Sequence, residues 1–278
     1  MRALALALAA LAAASCGASL AKLPAGPGTS AADAGAALAQ ATARACGIRT
    51  LTAEIGVSGS ANGHRLSGRL TAGVSAPASV RLEAVAPFGQ PIFIFVATGN
   101  DATLLLPRDN RILEHGRPAE VLGAVAGAPL DASGLREVIV GCPADAEPDS
   151  HQARSFGAEW RVVPTRRDGQ VYLHRDEEKA PWRLVAMTGR ADTGREWRTD
   201  YGDFQNDIAR TVRLTSAGPP PVDIKLALSQ LDTNVALGPD VFRVQTPRAA
   251  DPITIEELRG SGPLADSNSS PKTRRTPG

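Results

Sequence analysis

The sequence predicts an α+β fold in which a large antiparallel sheet of about ten strands curls around a few helices. After Thr50, most segments alternate apolar and polar residues with the two-residue period of half-buried strands. The dipeptides Asn62-Gly63 and Asp168-Gly169 favour the tight turns of antiparallel hairpins. Short helical stretches precede and interrupt the strands. We therefore expect helices to cover the concave face of the sheet.

The first half of the chain opens with an Ala-rich helix, predicted between the N-cap residue Ser30 and the stop at Gly47. The strand predicted at 91–97 is apolar on both faces, so we expect both faces to be covered. Further strands are predicted near 51–57, 64–74, 80–86 and 102–106.

The second half begins with two short helices, predicted over 118–126 and 131–140, which need to dock on a sheet to be stable. Strands are then predicted near 159–163, 170–175, 182–188, 195–202, 208–215, 222–229 and 240–246. We expect a single domain over 31–260. A Gly- and Pro-rich segment at 16–30 is predicted to be a flexible tether, and the polar tail at 261–278 is predicted to be disordered.

The N-terminus has the features of an export signal. Arg2 precedes a Leu/Ala run over 3–14, which is too short to span a bilayer, so residues 1–15 are predicted to be a signal peptide. Cys16 follows small residues, as in bacterial lipoproteins that are cleaved and acylated at the cysteine. We therefore expect a lipid anchor on Cys16. The alternative is an ordinary A-x-A cleavage at 12–14 that releases a soluble protein.

Net charge gives no reason to expect a nucleic-acid partner. The chain has 30 Lys+Arg and 29 Asp+Glu, and removal of Arg2 with the signal leaves equal numbers of the two. Aromatic residues make up only 4% of the chain, so aliphatic side chains must fill the interior.

Two cysteines remain if Cys16 is acylated. In an oxidising compartment Cys46 and Cys142 are candidates for a disulfide, which would close a loop of roughly a hundred residues. The alternative is two small buried thiols.

The sequence contains no recognisable catalytic or cofactor-binding pattern. It has no HExxH and no phosphate-binding glycine loop, and its four histidines are scattered at His64, His115, His151 and His174. We therefore expect neither enzyme activity nor a metal or cofactor.

Four segments share their pattern with one protein family. Residues 80–89 are predicted to form a strand that ends in Ala-Pro-Phe-Gly, and residues 122–143 are predicted to form two short helices around a turn that contains proline. The segments 197–206 (WRTDYGDFQN) and 240–247 (DVFRVQTP) follow among later strands. In this order they resemble the superfamily of the outer-membrane lipoprotein receptor LolB and its carrier LolA, over roughly residues 48–247.

The resemblance implies an open, incomplete β-barrel covered by helices, with a cavity that takes the acyl chains of lipoproteins. It also implies an apolar residue on a protruding loop that inserts into lipid, and the matching position is Phe88. The alternative is that Phe88 folds back as a core plug. Candidates for the apolar lining of the cavity are Ile92, Phe93, Ile94, Phe95, Leu104 and Leu106.

These features predict a membrane-anchored lipoprotein on the periplasmic face of the outer membrane. Its expected partners are acylated lipoproteins or lipid and a periplasmic carrier protein, with no nucleic acid. Gly17 after the cysteine is not the aspartate that retains lipoproteins in the inner membrane of enteric bacteria. The alternatives are a structural or interaction lipoprotein of the envelope, or a carrier of another lipid or glycolipid on the same fold.

Overall fold

The computed structural model describes residues 20–85, 91–128, 130–148, 151–191 and 193–261. These residues contain fifteen strands in one sheet, four α-helices and one 3₁₀ turn. The strands are β1 (Thr29–Ser30), β2 (Thr50–Ala61), β3 (His64–Ser75), β4 (Ser79–Val85), β5 (Phe93–Thr98), β6 (Asp101–Leu106), β7 (Arg111–Gly116), β8 (Arg154–Phe156), β9 (Trp160–Pro164), β10 (Gln170–His174), β11 (Arg183–Arg190), β12 (Glu196–Gln205), β13 (Ile208–Ser216), β14 (Val222–Thr233) and β15 (Asp251–Pro252). The helices are α1 (Ala34–Cys46), α2 (Pro118–Ala126), α3 (Ala132–Val140) and α4 (Ile255–Ser261), and the 3₁₀ turn spans Pro239–Phe242.

The sheet is curled and open, as the sequence predicts. Its strand order is β1-β8-β9-β10-β11-β12-β13-β14-β2-β3-β4-β5-β6-β7-β15. All neighbouring strands are antiparallel except β15, which pairs in parallel with β7. Strand β14 joins the later block to the earlier one by pairing with β2. The sequence predictions do not include four of these strands, β1, β7, β8 and β15, of which β1, β8 and β15 have only two or three residues each. Segments that short show no periodicity.

The Asn62-Gly63 turn closes the hairpin of β2 and β3 and is confirmed. Both residues have positive φ, 52° and 79°, and Ala61 pairs with His64 across the turn. The segment predicted as a strand at 240–246 instead begins with the 3₁₀ turn, whose first residue, Pro239, has no N–H to give to a ladder. This turn packs against β4 and β5.

The N-terminal segment lies against the sheet from Ala21, where the sequence predicted a flexible tether as far as Ser30. The backbone N–H of Ala21 donates to Asp200 Oδ1 at 3.1 Å, and Arg198 donates to the carbonyl oxygen of Ala21. Helix α1 begins after Asp33 and not after Ser30, because Ser30 belongs to β1. The helix packs against β9, β10 and β11.

Helices α2 and α3 begin and end with the residues that such short helices need. Pro118 is at the first position of α2, and Gly127 ends that helix with φ of 64°. The Asp131 carboxylate caps α3 by accepting from the N–H of Gly134 at 2.6 Å, and Gly141 ends the helix with φ of 78°. Helix α3 packs against β4 and β13, whereas α2 packs against β6 and α4.

A disulfide joins Cys46 and Cys142, so these cysteines are not the free thiols of the alternative. It links the last residue of α1 to a residue just beyond α3, across a sequence separation of 96. The bond therefore holds α3 close to the end of α1.

We expect loss of this disulfide to be strongly destabilising, because the bond closes a long loop in the unfolded chain. The Cys46→Ser/Cys142→Ser variant should lose about 2 to 5 kcal/mol of unfolding free energy in a denaturant titration. Reduced wild-type protein is the control and should unfold at the same midpoint as the variant. A loss below about 1 kcal/mol would show that the bond does not constrain the unfolded chain.

Candidate functional site

An apolar cavity of about 80 Å³ lies between the inner face of the sheet and the helices. Its wall on the sheet side comes from β2, β3, β4, β5, β13 and β14, and the opposite wall comes from α2, α3 and their connection. The lining residues are Ile55, Val57, Leu66, Leu70, Leu82, Phe93, Phe95, Leu122, Val125, Ala126, Ala128, Leu130, Leu135, Val138, Ile139, Leu214, Ile224 and Leu226.

Every lining side chain of this cavity is apolar. Such a cavity offers a water molecule no hydrogen-bond partner, and apolar cavities of this kind stay dry. A cavity that holds a benzene molecule has about 150 Å³, roughly twice this volume. A long alkyl chain would therefore fit only if the helices shifted away from the sheet.

The structure separates the residues that the sequence nominated for the lining. Phe93 and Phe95 line the cavity. Leu104, which pairs with Phe95, and Leu106 are buried in the main core but lie outside the cavity wall. Ile94 faces the opposite side of β5, because successive side chains of a strand alternate. Ile92 precedes β5 and packs, half-buried, against the core.

Cys16 and Phe88 lie outside the described residues. The lipid anchor and the loop that inserts into lipid therefore stay predictions.

Helix α3 is tied to the rest of the protein at three places. The disulfide fixes Cys142, and the Arg136 guanidinium donates to the carbonyl oxygen of Ile48 at 3.0 Å. Desolvation of the buried Arg136 lowers its pKa. The Tyr201 hydroxyl donates to the carbonyl oxygen of Val138 at 3.2 Å. These ties hold the wall formed by α3 against the sheet.

Helix α2 has weaker polar ties. The side-chain amide of Asn62, at the hairpin tip, donates to the carbonyl oxygens of Gly123 and Ala124 at 3.2 and 3.4 Å. Helix α2 also packs against β6 and α4, where Leu258 is fully buried. The sequence predicted the Asn62 turn but not its contact with α2, because the turn dipeptide does not indicate what its side chain touches.

A polar groove of about 490 Å³ lies between the α2–α3 pair and the strands β11 and β12. We call it the polar groove. Leu130 lines both this groove and the apolar cavity, so the two spaces adjoin. The charged residues that line the groove are Arg117, Glu120, Asp131, Glu137, Asp145, Arg167, Arg190, Arg195 and Arg259. No local pattern in the sequence indicates this groove, because its residues come from many separate segments.

One arginine of the polar groove lies within 4 Å of three carboxylates. Arg167 lies 2.9 Å from Asp145, 3.7 Å from Glu137 and 3.8 Å from Asp131. The hydrogen bond from Arg167 to Asp145 raises the pKa of the guanidinium. Burial, together with the like charge of Asp145, raises the pKa of the Glu137 carboxyl above its ordinary value. Negative charge therefore exceeds positive charge at this cluster.

None of the described helices is both long enough and apolar enough to cross a membrane.

The sequence matches no protein-family model and no curated protein. Solved structures do resemble the fold. A LolA-superfamily protein from Nitrosomonas europaea is 13% identical and aligns over 76% of this chain and 97% of its own, with a TM-score of 0.54. A DUF1329-family protein from Desulfovibrio piger is 10% identical, with coverages of 77% and 98% and a TM-score of 0.47. The lipoprotein LppX from Mycobacterium tuberculosis is 12% identical, with coverages of 73% and 99% and a TM-score of 0.32.

At such low identities the likeness concerns the fold alone. The similarity to the Nitrosomonas europaea protein shows a LolA-like fold, which is the open, curled sheet covered by helices that the sequence predicts.

Proposed function

We propose that the protein is a membrane-anchored lipoprotein that binds acyl chains in the apolar cavity and accepts or delivers lipoproteins at the outer membrane. The observation that carries this proposal is the cavity itself, whose eighteen lining residues are all apolar and which lies under two short helices. The LolA-like fold supports the same function.

The driving force for binding an acyl chain is its removal from water. Each buried methylene contributes about 0.8 kcal/mol, so about a dozen contribute roughly 10 kcal/mol before the costs of association. Because the cavity wall has no polar group, no strong directional bond holds the chain. Handover to a neighbouring site of higher affinity then needs no energy source.

Entry of a chain requires the helices to move, because the cavity is small. Helix α3 is fixed by the disulfide and by Arg136, whereas α2 is held through the hairpin tip at Asn62 and through packing. We therefore assign the opening movement to α2.

The other parts of the proposed function involve the N-terminus and residues 86–90. A lipid on Cys16 would anchor the protein to the periplasmic face of the outer membrane, where a periplasmic carrier would load it. Phe88, between Pro87 and Gly89, would insert into lipid during delivery.

The small volume of the cavity favours one other candidate function. An interior that its own side chains nearly fill suits a structural or interaction lipoprotein of the envelope, in which the cavity binds nothing. Capture of a ligand from the cavity wall separates the two functions.

A photo-crosslinking amino acid at Phe95 should capture acylated lipoproteins in living cells, because Phe95 lines the cavity and is almost fully buried. The readout is mass spectrometry of the crosslinked product. The control is the same amino acid at Thr98, which is exposed at the end of the same strand and should not capture acyl chains. Capture of free lipid would identify lipid, and not a lipoprotein, as the ligand. A crosslinker at Phe95 that captures nothing would favour the structural function.

Replacement of Cys16 should release the protein from membranes, because one cysteine would carry the whole anchor. Cell fractionation should find Cys16→Ala in the soluble periplasmic fraction and wild-type protein in the membrane fraction. The Cys46→Ser/Cys142→Ser variant is the control and should stay with the membrane. A Cys16→Ala protein that remains membrane-bound would contradict the lipid anchor.

A charge at Phe88 should slow delivery and leave binding unchanged. Replacing the aromatic contact with lipid by a carboxylate costs at least about 1.4 kcal/mol, equivalent to a tenfold slower transfer. Transfer of a fluorescent acylated lipoprotein from Phe88→Glu to outer-membrane vesicles measures this rate, and Phe88→Trp is the matched control. Equal transfer rates for Phe88→Glu and wild type would show that Phe88 takes no part in delivery.

A further inference from the structure

The polar groove and the apolar cavity form two adjoining compartments. Leu130 lines both spaces, and α2 and α3 contribute to both walls. An acyl chain that leaves the cavity beside Leu130 would place its polar end in the groove. The groove volume of about 490 Å³ is in the usual range for small-molecule sites.

Two arginines of the polar groove carry charge that no carboxylate neutralises in the part of the chain that the structure describes. Arg195 donates to the Ser216 hydroxyl oxygen at 2.8 Å, to the carbonyl oxygen of Gly218 at 3.2 Å and to the carbonyl oxygen of Pro220, all of them uncharged acceptors. The Arg259 side chain is exposed on α4 and makes no hydrogen bond or ion pair with another described residue. Guanidinium groups of this kind bind phosphate oxygens well.

The remaining arginines of the groove are already paired. Arg117 binds Glu120 at 2.6 Å, and Arg190 binds Glu196 at 2.6 Å. The phosphate-binding capacity of the groove therefore lies with Arg195 and Arg259.

The cluster around Arg167 has more negative than positive charge. Its three carboxylates share one guanidinium, and the side chain of Glu137 is only 10% exposed. A ligand cation beside these carboxylates would reduce their mutual repulsion where little water screens it. The groove as a whole is close to neutral, with five arginines and four carboxylates in its lining.

We propose that the polar groove binds a zwitterionic phospholipid head group, with its phosphate at Arg195 and Arg259 and its ammonium group at Asp131, Glu137 and Asp145. This inference rests on the proposed binding of an acyl chain in the cavity, and it adds a phospholipid as a second ligand beside the acylated lipoproteins. A near-neutral groove with separate positive and negative surpluses matches a head group that carries both charges. It matches a purely anionic head group less well.

The test compares three ligands with the same acyl chain on the full-length protein. They are monoacyl phosphatidylethanolamine, monoacyl phosphatidylglycerol and monoacylglycerol, each titrated below its micelle concentration and followed by calorimetry. The first should bind most tightly, because it alone carries both phosphate and ammonium groups. Equal affinities for the three ligands would overturn the assignment of the groove, while the binding of monoacylglycerol would leave the proposed function standing. If none of the three binds, both proposals fail.

Two variants assign the charges to the two parts of the groove. Arg259→Gln should weaken the binding of both phospholipids by about two- to fivefold, which is the range for an exposed ion pair. The affinity for monoacylglycerol should stay unchanged. Glu137→Gln should weaken only the binding of the phosphatidylethanolamine ligand, by about tenfold, as expected for a buried charged hydrogen bond.

The matched controls are Arg108→Gln and Glu178→Gln, which are exposed and lie outside the groove lining, and which should change nothing. Thermal melting checks that Glu137→Gln is folded, which we expect because burial already disfavours the charged carboxylate. Equal weakening of all three ligands by Glu137→Gln would overturn the assignment of the ammonium group.

Discussion

The structure depends on covering the inner face of a sheet that curls without closing. The main core combines side chains from this face with residues of α1, α2, α3 and α4. Removing the helices would expose this apolar surface, at a cost of about 25 cal/mol for each Å². The same requirement produces the cavity, because two helices of nine residues each leave a gap at the centre of the face that they cover. The helices that cover the sheet thus also form one wall of the cavity.

The two central helices differ in how they are held. The disulfide, Arg136 and Tyr201 hold α3, and the first of these ties is covalent. The polar contact of α2 comes from Asn62 on a hairpin turn, and its packing partner α4 is a short helix near the end of the described chain. Local opening follows the elements with the fewest such ties. A cavity with one fixed wall and one movable wall can admit a chain without loss of the fold.

Sequence reasoning identified the fold, two helical stretches and the cysteine pair, because local patterns encode each of them. It could not determine which face of β5 lines the cavity. Ile94 and Phe95 are both apolar, so the sequence does not distinguish them, but only Phe95 lines the cavity. It also missed the polar groove. Arg167, Arg195 and Arg259 lie on separate segments, and only the three-dimensional fold brings them to one space. Short edge strands such as β1 and β15 have too few residues to show a period.

The adjoining cavity and groove divide binding into two tasks of different magnitude. Burial of alkyl groups contributes about 0.8 kcal/mol for each methylene and does not distinguish one acylated molecule from another. Each exposed ion pair contributes only about 0.2 to 1 kcal/mol, but it depends on the sign and position of the ligand charge. Under the two proposals, chain length at the cavity would set how tightly a ligand binds, and the charged groups of the polar groove would set which ligand is preferred. Since exposed ion pairs are weak, such a site would select its ligand and still release it.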